Sequence, residues 1–166
     1  EIIAQVPEAS SVCEEVGVIR KEALRARDIV RDLLVIARPA NVQRAAVRLA
    51  EVTGHIERLR RNTWASRGIT VTFDLEGADR PIWGNEPQLT QILLNLVTNA
   101  EQALEGRPEP RILVCARSEG ESMIVDVSDN GKGMDAATLD RIFEPFFTSR
   151  PGVGTGLGLS LTRSLM

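Results

Sequence analysis

A chain of 166 residues holds one modest core, or one small domain with a helical appendage. A formal net charge of −3 with 26% charged residues is ordinary, so nothing argues for a nucleic-acid partner. No run approaches the ~18 apolar residues that a membrane-spanning helix requires, and no signal peptide is visible in these residues.

Cys13 and Cys115 stand alone without metal-ligand spacing, so they are expected to be buried free thiols of a reducing cytoplasm. The chain opens on Glu1 rather than Met, which leads us to expect a fragment, with any membrane anchor lying upstream. Residues 1–11 are mixed in character and broken by Pro7. From Val12 the apolar positions Val12, Val16, Ile19, Ala23, Ala26, Val30, Leu33 and Ala37 step by alternating fours and threes. Set against Arg20, Lys21, Arg25, Arg27, Asp28 and Arg31, this seam predicts a long helix in a coiled coil or bundle. A single amphipathic helix lying on its own domain is the other reading. Pro39 ends it.

Residues 47–65 read as a helix with Leu49, Val52, Ile56 and Leu59 on one face and Arg58, Arg60 and Arg61 on the other. His55, the only histidine, reads as a partly exposed helical residue. Arg67 and Gly68 close this helix, and residues 69–75 alternate strictly, as a strand with one buried face does. Residues 81–84 form a short extended piece whose Trp83 is assigned to the core. Asn85 then N-caps a helix that carries Glu86 and Pro87 in its first turn and Gly106 at the C′ position. Its buried stripe is Leu89, Ile92, Leu93, Leu96, Val97, Ala100, Ala103 and Leu104, and Asn95 and Asn99 lie four apart beside it. Amide oxygens at that spacing suit Mg²⁺, a hard cation that takes oxygen ligands; a pair of surface or capping asparagines is the alternative.

Residues 111–117 and 122–128 read as a hairpin turning at Glu119, Gly120 and Glu121. The second strand delivers Asp129, whose carboxylate can accept a hydrogen bond from an exocyclic amine, although Asp-Asn-Gly is also a common turn signal. Asp135 caps a short helix, and Phe143, Phe146 and Phe147 read as a hydrophobic hinge for a lid over residues 148–153, with base stacking the other reading. Arg150 in that lid reads equally as a γ-phosphate contact or a solvated side chain. Gly152, Gly154, Gly156 and Gly158 then run into a helix whose free N–H groups suit a phosphate. The two glycine-rich turns together suggest a nucleotide pocket. Neither the P-loop spacing, which needs a lysine here, nor the dinucleotide fingerprint fits.

The order of four motifs carries more than any one of them. Asn95-Leu96-Val97-Thr98-Asn99-Ala100, Asp129-Asn130-Gly131-Lys132-Gly133-Met134, Phe143-Glu144-Pro145-Phe146-Phe147-Thr148 and Gly154-Thr155-Gly156-Leu157-Gly158-Leu159 resemble, in order and spacing, the N, G1, F and G2 boxes of sensor histidine kinases. The resemblance implies an α+β fold, a two-layer sandwich of mixed sheet on helices shared with gyrase, mismatch-repair and heat-shock chaperone ATPases. Residues 1–39 would then be a partial dimerisation segment, 40–46 a linker, and 47–166 a catalytic domain. The family continues with a last pair of strands after the position of Met166, so that domain is expected to be truncated. The N-terminal helix resembles the second helix of the family's dimerisation hairpin, which implies a homodimer.

By the same resemblance the ligands are ATP and Mg²⁺. Asn95 and Asn99 would be catalytic, with Asn99 on the metal. Asp129 would read the adenine amino group, Gly131 and Gly133 would complete the base contacts, and Phe143, Arg150, Gly154, Thr155, Gly156, Leu157 and Gly158 would line the remainder of the nucleotide. The implied partner is a response-regulator receiver domain and the implied location cytoplasmic, with membrane attachment only through regions not in this chain. No H box exists here, so ATP binding without self-phosphorylation is expected. A nucleotide-gated regulatory or dimerisation module without transfer activity is the alternative. A gyrase-like ATPase is disfavoured, because Asn95 stands where those enzymes place a glutamate, and an amide cannot take a proton from water.

Overall fold

The computed structural model describes residues 12, 14–20, 22–24, 26, 27, 29, 30, 43–150 and 154–166. Every described residue between 12 and 30 is helical. Along the seam, Val12, Val16, Ile19 and Val30 are exposed, so this apolar face is not laid on the domain at these positions. Leu33, Ala37, Pro39 and Cys13 fall outside the described residues.

The remainder runs β1 (Ala45–Val47), α1 (Leu49–Arg67), β2 (Thr70–Gly77), β3 (Ile82–Gly84), α2 (Glu86–Ala103), β4 (Arg111–Glu119), β5 (Ser122–Asp129), α3 (Ala136–Leu139) and α4 (Gly158–Leu165). The central sheet has the order β2-β4-β5, with β4 parallel to β2 and antiparallel to β5. The hairpin joins neighbours directly, whereas the parallel pair needs a crossover, which β3 and α2 provide. β1 and β3 form a separate antiparallel ladder, Ala46 facing Trp83.

Period-two alternation sets the layers. Ile112, Val114 and Ala116 of β4 are buried while Arg111, Leu113 and Arg117 face out. The inward side chains, joined by Val71, Phe73, Leu75, Val125 and Val127, pack on Leu49, Val52, Ile56 and Trp64 of α1 and Leu93, Val97, Ala100 and Leu104 of α2. Each of the larger ones contributes about 1.5–3 kcal/mol by leaving water. Between the two helices lies a buried charge. Glu101, 1% exposed, pairs with Arg60, accepts from Trp64 Nε1 at 2.6 Å, and its backbone carbonyl accepts from Arg67 at 3.0 Å.

The element limits depart from expectation in a few places, each for a local reason. Trp83 is 70% exposed rather than core. In a three-residue strand the middle side chain faces away from its neighbours, and Ile82, paired with Val47, takes the inner side. Leu59 is also exposed; the inner face of α1 continues through Trp64 instead. β1 occupies the end of the expected linker, an Ala-Ala-Val run too short to show alternation. Helix α2 ends at Ala103 with Leu104 as its cap, so Gly106 lies one position beyond C′. Asn85 caps α2 as expected, its side chain accepting from the Gln88 amide at 3.0 Å and donating to the Gln43 carbonyl at 3.2 Å.

Candidate nucleotide site

One face of α2 forms the floor on which both glycine turns rest. Asn95, Asn99 and Ala103 recur every four residues and so line a single stripe. At one end the Asn95 amide is fully engaged. Its Oδ1 accepts from Gln91 Nε2 at 2.8 Å, and its Nδ2 donates to the Gly158 carbonyl at 3.0 Å and the Thr162 hydroxyl at 3.4 Å. Asn95 therefore ties α2 to the first turn of α4.

At the other end, Ala103 supports the turn after β5. The Lys132 amide donates to the Ala103 carbonyl at 3.2 Å. A Cβ on Gly131 would lie 2.7 Å from that carbonyl and 2.6 Å from Asp129 Oδ1, so only glycine fits. Asp129 ends β5 opposite Ile112, and its exposed carboxylate accepts from the Gly131 amide at 2.8 Å through Oδ1. Gly133 follows with φ 69°.

Midway between these ends stands Asn99. Its Nδ2 is buried and has no hydrogen-bond partner, the one such side-chain atom among the described residues. A buried amide left unpaired costs roughly 1–3 kcal/mol, and such groups in native folds point to a missing partner.

The second glycine turn is fitted to the phenylalanine loop. Phe146 adopts φ 64°, a strained value for a non-glycine residue, and a Cβ on Gly156, itself at φ 71°, would lie 2.5 Å from the Phe146 carbonyl carbon. Leu157 is buried and anchors the turn, with its amide bonded to the Thr155 hydroxyl at 3.3 Å. Phe143 is 41% exposed beneath the Arg163 guanidinium, and Arg141 covers Phe147 at 4.3 Å, so these rings meet cations. Arg150, with a mostly buried side chain, lies 3.8 Å from Glu105, just past α2, and its carbonyl accepts from the Gly154 amide at 3.5 Å. Pro151, Gly152 and Val153 of the expected lid are outside the described residues.

Of the sequence-predicted residues, Asn95, Asn99, Gly131 and Gly158 come together along one stripe of α2, with Asp129 bonded to Gly131. Phe143 lies instead against Arg163, Arg150 beside Glu105, and Thr155 and Gly156 within the second glycine turn. Two contributors were missed as site residues: Ala103, which continues the four-residue step from Asn99, and Phe146, whose backbone supports Gly156. The repeat 95, 99, 103 was a signal available for the first; no local signal marked the second. Among the described residues no three His, Cys, Asp or Glu side chains are grouped to hold a metal ion. Amide oxygen together with phosphate and water is instead the donor set that Mg²⁺ accepts, and Asn99 Oδ1 is an oxygen of that kind; its unpaired Nδ2 calls for a hydrogen-bond acceptor, not for a metal.

This layered fold, with two glycine turns held on one helix, defines a class of nucleotide-binding ATPases. The chain belongs to the histidine kinase-, DNA gyrase B- and HSP90-like ATPase family, which matches residues 84–166. The sensor histidine kinase ZraS of Klebsiella oxytoca is 39% identical over 150 residues, covering 90% of this chain and 32% of that protein. The chain thus spans about a third of this curated relative's length. The catalytic domain of the histidine kinase ThkA superposes with a TM-score of 0.67 at 26% identity, over 75% of this chain and 81% of that one. ThkA in complex with the response regulator TrrA, at 23% identity, shares the fold with a TM-score of 0.77, over 98% of this chain and 45% of that one. The α+β architecture expected from the four motifs is the one found.

Proposed function

We propose that this chain is the ATP-binding kinase core of a two-component sensor histidine kinase. One observation carries the reading: the Asn95, Asn99 and Ala103 stripe meets the second glycine turn at one end and the first at the other, with an unpaired buried amide between. Asp129 accepts a hydrogen bond from the adenine amino group, which excludes guanine, whose corresponding position is a carbonyl oxygen. Gly131 and Gly133 admit the base edge; Thr155, Gly156 and Gly158 present backbone N–H groups to phosphate, Leu157 anchors the turn that holds them, and Gly154, Arg150 and Phe143 lie at the margin.

Asn99 is the protein ligand for Mg²⁺, which when bound neutralises phosphate charge. The remaining chemistry is alignment. The γ-phosphoryl group passes to an imidazole nitrogen; the bond from phosphorus to the bridging oxygen breaks, a phosphorus–nitrogen bond forms, and ADP leaves with the electron pair. Asn95 cannot act as a base toward water, and its amide is already bonded to α4, which favours transfer over hydrolysis. His55, exposed on the outer side of α1, is not the acceptor; that histidine belongs to a hairpin helix supplied separately. The phosphate is relayed from it to an aspartate of a response regulator, and the exposed heptad seam pairs two copies in the cytoplasm. No described helix is long and apolar enough to cross a membrane.

The deciding experiment mixes this chain, radiolabelled ATP and an isolated phosphoacceptor hairpin. Label on the hairpin is the expected result. Binding without label assigns the chain to a regulatory module, and steady phosphate release by the chain alone assigns it to the hydrolases. Asp129→Asn, which places an amide donor against the adenine amino group, is expected to abolish ATP binding in a calorimetric titration; an unchanged titration removes Asp129 from the site.

A further inference from the structure

Asn130 follows Asp129 in a turn, where its side chain reads as ordinary turn chemistry. Its bonding is more specific than that. All four of its polar atoms engage residues 107–111, the connection between α2 and β4. The amide donates to the Arg111 carbonyl at 3.3 Å, the carbonyl accepts from Arg107 Nε at 3.1 Å, Oδ1 accepts from the Arg111 amide at 2.7 Å, and Nδ2 donates to the Glu109 carbonyl at 3.0 Å. That connection is itself anchored: the Arg107 amide donates to Leu104 at the end of α2, and the Thr70 amide of β2 donates to Pro110.

The β4 and β5 ladder ends at the pair Ile112 and Asp129, so past Asp129 the register is held by Asn130. Only a side chain with an acceptor and a donor on one short fork makes both bonds. Aspartate lacks the donor, alanine lacks both, and glutamine is a methylene too long. We infer that Asn130 is a positioning residue: it touches no ligand, but by clamping the end of β5 it fixes the direction in which Asp129 presents its carboxylate to the adenine amino group. This rests on the reading of Asp129 given above.

The test compares two ligands on the 166-residue chain by calorimetry: ATP, and purine riboside triphosphate, which lacks the 6-amino group. The unaltered chain is expected to prefer ATP by about tenfold or more, as a hydrogen bond to a charged group implies. In Asn130→Ala that preference is expected to collapse toward equality, with the loss falling on ATP and the analogue barely affected. A loss shared equally by both ligands, or no loss, overturns the positioning role, since general loosening of the turn does not single out the amino group. Asn130→Asp, which keeps the acceptor and drops the donor, carries the test if the alanine variant does not fold; it is expected to lose part of the preference, and a full preference overturns the inference. If the unaltered chain binds both ligands equally, the Asp129 reading itself fails.

Discussion

Four asparagines bring the same side chain to four different ends. Asn85 caps a helix, Asn95 joins two helices, Asn130 clamps a turn, and Asn99 keeps a buried amide nitrogen with no acceptor. Their partners, not their type, separate them, and this divides two substitutions cleanly. Asn95→Ala removes three hydrogen bonds and is expected to cost about 1–3 kcal/mol in urea denaturation, leaving the Gly158 region loose. Asn99→Ala removes an unpaired group and is expected to leave the unfolding midpoint unchanged or raised, while sharply lowering the affinity for ATP in Mg²⁺ relative to that in EDTA. Equal Mg²⁺ dependence before and after would remove Asn99 from the metal. At this scale the sequence was legible for spacing and silent on bonding. The i, i+4 step put Asn95 and Asn99 on one face, but Asn95 spends its amide on a carbonyl 63 positions away, a contact no local pattern encodes.

At the scale of elements, α1 and α2 are held under the site by the Arg60, Glu101 and Trp64 cluster. Arg60→Leu leaves the Glu101 carboxylate buried without its cation, and breaking such a pair costs about 3–5 kcal/mol; a urea midpoint lowered to match is the expected outcome. The short helix α3 depends instead on a cap at the surface. Asp135 lies below its ordinary value of 3.8 because the Thr138 side chain and backbone amide bond its charged form. A depressed folded value means that the cap's contribution is present above the unfolded pKa and fades as pH falls through the folded one. Protection of the Thr138 amide from exchange, after removing the intrinsic pH dependence of exchange, is therefore expected to be flat from neutrality down to about pH 5 and to fall below about pH 4. Strands β2, β4 and β5 and all but the ends of α1 and α2 were readable because each is long enough to show its period. β1 and the outward turn of Trp83 were not, since three residues cannot distinguish alternation from chance and an indole's size suggests burial where its position dictates exposure.

For the molecule as a whole, the N-terminal helical residues and the layered domain answer to different rules. Val12, Val16, Ile19 and Val30 leave an apolar seam in solvent, which a second copy covers in the proposed dimer. Sedimentation equilibrium is expected to report a dimer that Ile19→Glu converts to monomer without altering ATP affinity; a monomer throughout would sink the pairing. The layered fold was legible through its four motifs, because each glycine turn is constrained at one or two positions that admit no other residue. Helix α2 also acts as a ruler. Asn95 and Ala103 are eight residues apart, so the two turns sit about 12 Å from each other along its axis, a distance fixed by helical rise alone. A residue added between them swings one support about 100° out of line with the other, so this stretch tolerates changes of side chain far better than changes of length.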